Sequence, residues 1–496
     1  MPRLSMKPLL KHATLPALVL LTGCAVGPNF HQPAAPAGAG YTPTRLTGTH
    51  KAAGPLGAAQ TFVPAQDIPG QWWTLFHSPD LNQLIKQALQ ANPSIAAAQA
   101  ALRVSQEDLL AQDGSFFPQI GASIGASKNL TSTASLAPVG AFNKAFYSLY
   151  TAQLSISYSP DVFGLNRRMV ESLAAQAENK RDELEAADLS LSANVVTAAF
   201  QEAGLRAAIA AQQQTIKADQ DLETIIARQY ADGEVAQSVL LQQQTALAQA
   251  QQLLPPLQRQ LDMQENALIA LSGGYPNEML PETFDLSQLH LPQTLPVSLP
   301  SQLVAQRPDI LAAAANMHAA SAEIGVAIAN RLPQLPLTAQ LGTSPAAIAN
   351  AFTPYNQFYT LAAGLTGPLF NGGALVHKQR AAVAQFDEAA AMYKQTVINA
   401  FQNVSDTLRA LQTDADQLQA AQTADNDARQ SLAIARTQFQ DGTIAYVTVL
   451  NAEQMYQAAQ LALVQAEVMR LTDTAALFQA LGGGWWNRDG PAAANI

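Results

Sequence analysis

Gln119-Ile120-Gly121-Ala122-Ser123-Ile124-Gly125-Ala126-Ser127 alternates apolar or small side chains with polar ones or glycine along its whole length. A period of two places the two sets on opposite faces of a β-strand. Three further stretches read the same way. Leu154, Ile156 and Tyr158 alternate with Gln153, Ser155 and Ser157. Leu335, Leu337, Ala339 and Leu341 alternate with Gln334, Thr338 and Gln340. Tyr359, Leu361, Ala363 and Leu365 alternate with Thr360, Ala362, Gly364 and Thr366. The polar faces are small and uncharged, which suits a wall with lipid outside and water inside. Alternation alone fits four half-buried strands of a soluble sheet equally well.

Outward from the strands, the chain repeats itself. Phe117-Pro118-Gln119 returns as Leu332-Pro333-Gln334, and Asn92-Pro93-Ser94-Ile95 as Arg307-Pro308-Asp309-Ile310. Val162-Phe163-Gly164 resembles Leu369-Phe370-Asn371. Gln229-Tyr230-Ala231-Asp232-Gly233 matches Gln438-Phe439-Gln440-Asp441-Gly442, and Gly273-Gly274 matches Gly482-Gly483. Matches in one order at a nearly constant offset mark a duplication. Each half reads as a helix opened by proline, a strand pair, a very long helix, an Asp-Gly turn and a returning helix closed by glycines. The expected layout is a leader over 1–23, an extended N-terminal segment over 24–80, a first repeat over 81–274 and a second over 301–484. An irregular Pro-rich linker fills 275–300, and 485–496 is a tail. Strands are expected near 118–127, 151–162, 334–343 and 357–369. Long helices are expected near 165–231, 236–272, 374–440 and 446–481.

Only 13% of residues are charged, 48% are hydrophobic, and the net charge is −10. The acidic balance and the lack of a basic cluster exclude a nucleic-acid binder. Past the N-terminus no run of about 18 apolar residues occurs, so no further membrane-spanning helix is expected. Arg3, Lys7 and Lys11, then an apolar stretch from Ala13, then Leu21-Thr22-Gly23-Cys24, form a secretory leader ending on the single cysteine. The histidines His12, His31, His50, His77, His290, His318 and His377 form no short metal spacing. Glu171, Glu178, Asp182, Glu183 and Glu185 lie among basic residues on one helix and read as solvated pairs. Nothing here points to an enzyme.

Membrane strands impose two further expectations. A sheet edge is untenable in lipid, and barrels begin at about eight strands, so two or three copies must share one barrel. Each hairpin crosses twice, which puts both flanking helices on one side. The helix from Leu165 to Tyr230 would be roughly 100 Å long and needs neighbours packed alongside it.

These features resemble the TolC-like outer-membrane factors, in the lipoprotein branch of the outer-membrane efflux proteins. The ordered set carries the resemblance: Cys24-Ala25-Val26-Gly27-Pro28, Trp72-Trp73 with Phe76, Leu81 and Leu84, Asn92-Pro93, Leu254-Pro255-Pro256-Leu257 as a break in the returning helix, and Leu481-Gly482-Gly483-Gly484-Trp485. The resemblance implies a mainly α fold with a membrane β-barrel portion. It also implies a homotrimer with a shared twelve-stranded barrel, a long α-helical barrel and a mixed equatorial region. Cys24 would carry the covalent lipid that anchors the chain in the outer membrane, with no other cofactor. Such channels are passive ducts served by an inner-membrane pump through a periplasmic adaptor. By resemblance, Arg228, Asp232, Gly233, Arg436, Asp441 and Gly442 lie at the tips where the adaptor docks. The ring positions of the pore gate fall on Thr448 and Asn451, where the family often carries Asp. The competing reading is a lipid-anchored periplasmic coiled-coil protein, structural or adaptor-like, which would not need four alternating strands at duplicated positions.

Overall fold

The computed structural model describes residues 25–36, 40–44, 46–132, 145–278 and 283–488. Contacts divide the chain into two units. One holds the chain up to Gln32, Leu102–Asn179 and Ala313–Tyr393, and the other holds Pro33–Ala101, Lys180–Ala312 and Lys394 onward.

The first unit contains one antiparallel sheet of four strands, β2 (Gln119–Leu130), β3 (Phe146–Tyr158), β5 (Leu337–Thr343) and β6 (Gln357–Ala363), in the order β2-β3-β5-β6. The hairpins from the two halves therefore join directly at β3 and β5. Register carries the alternation across the whole sheet. Ile120, Ile156, Ala339 and Leu361 form one row, and Ala122, Leu154, Leu341 and Tyr359 the next on the same face. The opposite face holds Gly121, Ser155, Gln340 and Thr360. The apolar face is uncovered, with Ile124 90% exposed and Leu361 75%. Among the described residues, β2 and β6 each lack a neighbour on their outer side.

β5 and β6 are shorter than the alternation implies. Pro336 has no N–H to give the ladder, so pairing lapses there and resumes as an isolated bridge between Gln334 and Thr366. Helix α6 (Pro308–Ala329) is long and apolar enough to cross a membrane, because alanine counts as apolar. More than half of its apolar window is buried, as in a packed core helix.

The second unit is helical. It holds α1 (Pro79–Ala91), the short α5 (Pro300–Gln306) and all of α4 (Gln237–Leu271) and α8 (Tyr446–Ala480). The greater parts of α3 (Leu165–Ala231) and α7 (Ala374–Gln440) also belong to it; α2 (Pro93–Asp113), like α6, is divided between the units. The duplication is metric: α3 and α7 each have 67 residues, and α4 and α8 each have 35.

The repeated Asn-Pro and Arg-Pro motifs do equivalent work. Asn92 Nδ2 donates to the Leu271 carbonyl at the end of α4, and Arg307 Nη1 donates to the Ala480 carbonyl at the end of α8. Each supplies a donor to a helix terminus that lacks one. Pro255 and Pro256 lie inside α4 without ending it, contrary to the expected break. Both are exposed, as are Gln251 and Gln252, so water reaches the carbonyls that the prolines leave unbonded.

The linker also departs from expectation, since it contains a strand. β1 (Thr61–Pro64) and β4 (Thr294–Val297) pair in parallel, with Val63 opposite Pro296. Pro296 is tolerated because β4 pairs with β1 alone among the described residues and so keeps one free edge. Beside them lies an aromatic core. Trp72 stacks on Phe478 at 5.4 Å, and Phe76 meets Phe200 edge-on at 4.9 Å, all four fully buried. α1 adds Leu81, Leu84, Ile85 and Ala88, one face at helical spacing, behind a Ser78 cap whose Oγ accepts from the Leu81 N–H. Phe478→Ala should cost about 3–5 kcal/mol, read as a lowered thermal midpoint in detergent, whereas Phe352→Ala on the exposed strand loop should leave the midpoint unchanged.

Candidate functional site

Two helix ends form the most distinctive construction in the second unit. After α3, Glu234 N–H donates to Gln229 O at 2.8 Å and Gly233 N–H to Tyr230 O at 3.0 Å. After α7, Thr443 N–H donates to Gln438 O at 2.9 Å and Gly442 N–H to Phe439 O at 2.9 Å. This is the same glycine-terminated cap twice, with Gly233 at φ +77° and Gly442 at φ +70°. No neighbouring atom crowds either glycine, so left-handed backbone alone demands it. Between the turns, Ile226, Leu432, Ala435, Tyr446, Val449 and Ala452 form one buried cluster, which ties the two turn regions together.

The side chains singled out from the sequence fall into two sets. Arg228, Asp232, Gly233, Asp441 and Gly442 are exposed around the turns. Arg436 points inward, its Nη2 donating to Glu453 Oε1 at 2.5 Å. Thr448 and Asn451 are both exposed, one turn apart on α8. Cys24 lies outside the described residues.

The residues that follow Cys24 are held firmly within the first unit. Arg168, only 3% exposed, donates from Nε to the Val26 carbonyl at 2.9 Å and from Nη2 to the Gly27 carbonyl at 3.2 Å and Asn29 Oδ1 at 2.9 Å. Its Nη1 donates to Glu171 Oε2 at 2.6 Å. Glu171 Oε1 meets His318 Nε2 at 3.2 Å, and the His318 ring stacks on Phe30 at 4.5 Å. Gly27, at φ +99°, lies so near Gly325 that a Cβ would come within 2.5 Å of its Cα. Glu171 is thus part of a clamp rather than a solvated ion pair. Asp182 is buried, and Glu185 and Asp188 both pair with Arg488. Only Glu178 and Glu183 keep the exposed character expected of the set.

Sequence reasoning missed a buried polar group on the tip-side helices. Asp219 on α3, Gln243 on α4 and Tyr446 and Glu453 on α8 are each at most 4% exposed. Gln243 Nε2 donates to the Asp219 carbonyl oxygen at 2.8 Å, and the Asp219 carboxyl lies within hydrogen-bonding reach of Glu453. Burial foremost, then the Glu453 charge, pushes Asp219 up to about 7. Burial likewise raises Tyr446. The signal was present in the sequence: Thr215, Asp219, Leu222 and Ile226 share one face of α3, so an acid sits on an inward stripe.

The sequence matches the outer membrane efflux proteins over residues 84–274 and 299–483. It is 30% identical over 430 residues to the pyoverdine export outer membrane protein OpmQ of Pseudomonas putida, covering 86% of this chain and 90% of that protein. Identity to the cation efflux system protein CusC of Escherichia coli is 26% over 467 residues, covering 94% of this chain and 96% of that one. The fold is similar to the outer-membrane channel OprN, with a TM-score of 0.83 at 24% identity over 93% of this chain and 100% of that one.

Arg168→Ala should free the N-terminal segment. Removing one partner of a buried ion pair costs about 3–5 kcal/mol, so limited proteolysis should cut around residues 26–30 in the variant and spare them in the wild type.

Proposed function

The chain belongs to the outer membrane efflux protein family, and from that premise we propose that three copies form one passive exit duct driven by an inner-membrane pump through a periplasmic adaptor. The observation that carries this reading is the uncovered sheet with two unpaired edges. In hydrocarbon each unpaired backbone group costs several kcal/mol, so the sheet must close on other copies. Four strands per chain give twelve in a trimer, within the range of known barrels.

Exposed aromatic and apolar side chains support the placement in the bilayer. Phe117, Leu369 and Phe370 flank one end of the strands, and Phe146, Ile348, Phe352 and Tyr355 flank the other. Two such girdles with an apolar band between them match the two membrane interfaces. The apolar rows then face lipid, and the Gly121–Ser155–Gln340–Thr360 row faces the lumen. Each hairpin enters and leaves from one side, so the long helices lie in the periplasm. Cys24 would carry the lipid, with the Arg168 clamp holding the residues next to it. The turns at Asp232-Gly233 and Asp441-Gly442 would meet the adaptor through their exposed groups, Arg228 among them. Arg436 serves within the bundle instead. Relatives are named for pyoverdine export and for cation efflux, so we assign cargo choice to the pump and small molecules as the class.

Thr448 and Asn451 are the gate positions in this reading. Their neutral side chains give no like-charge repulsion and no cation-binding ring, so the constriction is polar and hydrogen-bonded. In planar bilayers the wild-type protein should form channels insensitive to divalent cations, and Asn451→Asp should make them blockable. Absence of any channel would count against the duct, and an unaltered Asn451→Asp channel would remove Asn451 from the pore.

A further inference from the structure

Four helices meet around the buried acid pair. Asp219 comes from α3, Gln243 from α4, Arg436 from α7, and Tyr446 and Glu453 from α8. Asp219 Oδ1, Gln243 Oε1, Tyr446 Oη, Glu453 Oε2 and Arg436 Nε are all buried without a hydrogen-bond partner. Unpaired polar atoms at such a density are costly unless something supplies donors to them. With both acids ionised, two negative charges would face one guanidinium in an otherwise apolar cluster.

The geometry points to a proton-binding site: Asp219 and Glu453 share one proton, and that proton latches the four helices together just above both turns. A shared proton turns one acceptor into a donor, joins the two carboxyls by a hydrogen bond and leaves a single negative charge for Arg436. The latch lies outside the duct reading and does not depend on it, because it concerns only how four helices hold each other.

Other charged groups near Asp219 do not replace the proton. Glu223, on the same helix, accepts from Gln244 Nε2 at 3.2 Å, and exposed Lys217 pairs with Asp221 at 3.6 Å. A cavity of about 180 Å³, lined by Thr215, Arg436, Glu453 and Tyr456 among others, lies beside the pair. It has room and polar partners for water, and so gives the proton a route to solvent.

The sign of the pH dependence follows. Asp219 is raised in the packed helices, so packing binds a proton that the opened helices release. The latch therefore holds at acidic pH and is lost as pH rises through about 7. Amide hydrogen exchange of the full-length protein, corrected for the chemical effect of pH, tests this from about pH 4.5 to 8.5. Amides flanking both turns should open progressively faster as pH rises toward about 7, by up to about tenfold per pH unit for one proton, and should level off above it. Asp219→Asn, whose amide donates permanently, should stay protected and flat across the range. Should it fail to fold, Glu453→Gln should show the same flat profile at a lower protection. A flat wild-type profile, or an equal slope in the variants, overturns the latch. Protection restored at pH 8.5 by calcium chloride also overturns it, since the pair would then be a cation site.

Discussion

The unpaired backbone along β2 and β6 is the constraint on which the rest depends. A strand edge is a row of N–H and C=O groups that require partners, and lipid offers none. The same sheet exposes leucine, isoleucine and tyrosine on one face and serine, glutamine and threonine on the other. Such a surface is stable where hydrocarbon covers one face, water covers the other, and further strands continue both edges. In the proposed duct, assembly is therefore a condition of the fold and cannot be an optional later step.

Duplication solves the problem of building the rest symmetrically. The two halves repeat the hairpin, the 67-residue helix, the glycine-capped turn and the 35-residue return. Equivalent cap donors, Asn92 and Arg307, tie each returning helix to the start of the helix that precedes its hairpin. The halves diverge where function can differ. Only the second half carries the Arg436–Glu453 pair, and only the first carries Asp219 to meet it. A buried polar group of that kind contributes specificity between helices at a cost in stability.

Much of this was legible in the sequence, because its periods and stops are local. Period two found β2, β3, β5 and β6, and glycine after Asp232 and Asp441 placed both turns. What stayed hidden depends on distant partners. β4 was masked by Pro296, whose strand exists only because β1 pairs with it. The ends of β5 and β6 were overrun because Pro336 interrupts hydrogen bonding without interrupting the apolar pattern. The Arg168 clamp joins residues about 140 positions apart, which no spacing rule anticipates. Arg436 looked like a docking group at a turn, and only its contact with Glu453 shows that it faces inward.

Closure between copies can be measured directly at the two edges. Ser123→Cys on β2 can be combined in turn with Phe358→Cys, Thr360→Cys and Ala362→Cys on β6, all on the polar face. Mild oxidation in isolated outer membranes followed by non-reducing electrophoresis reads out which chains are joined. A barrel closed by three copies predicts, for at least one pairing, a ladder that ends at the covalent trimer. Cross-links that never join separate chains, or a ladder that stops at two or runs on past three, would contradict it.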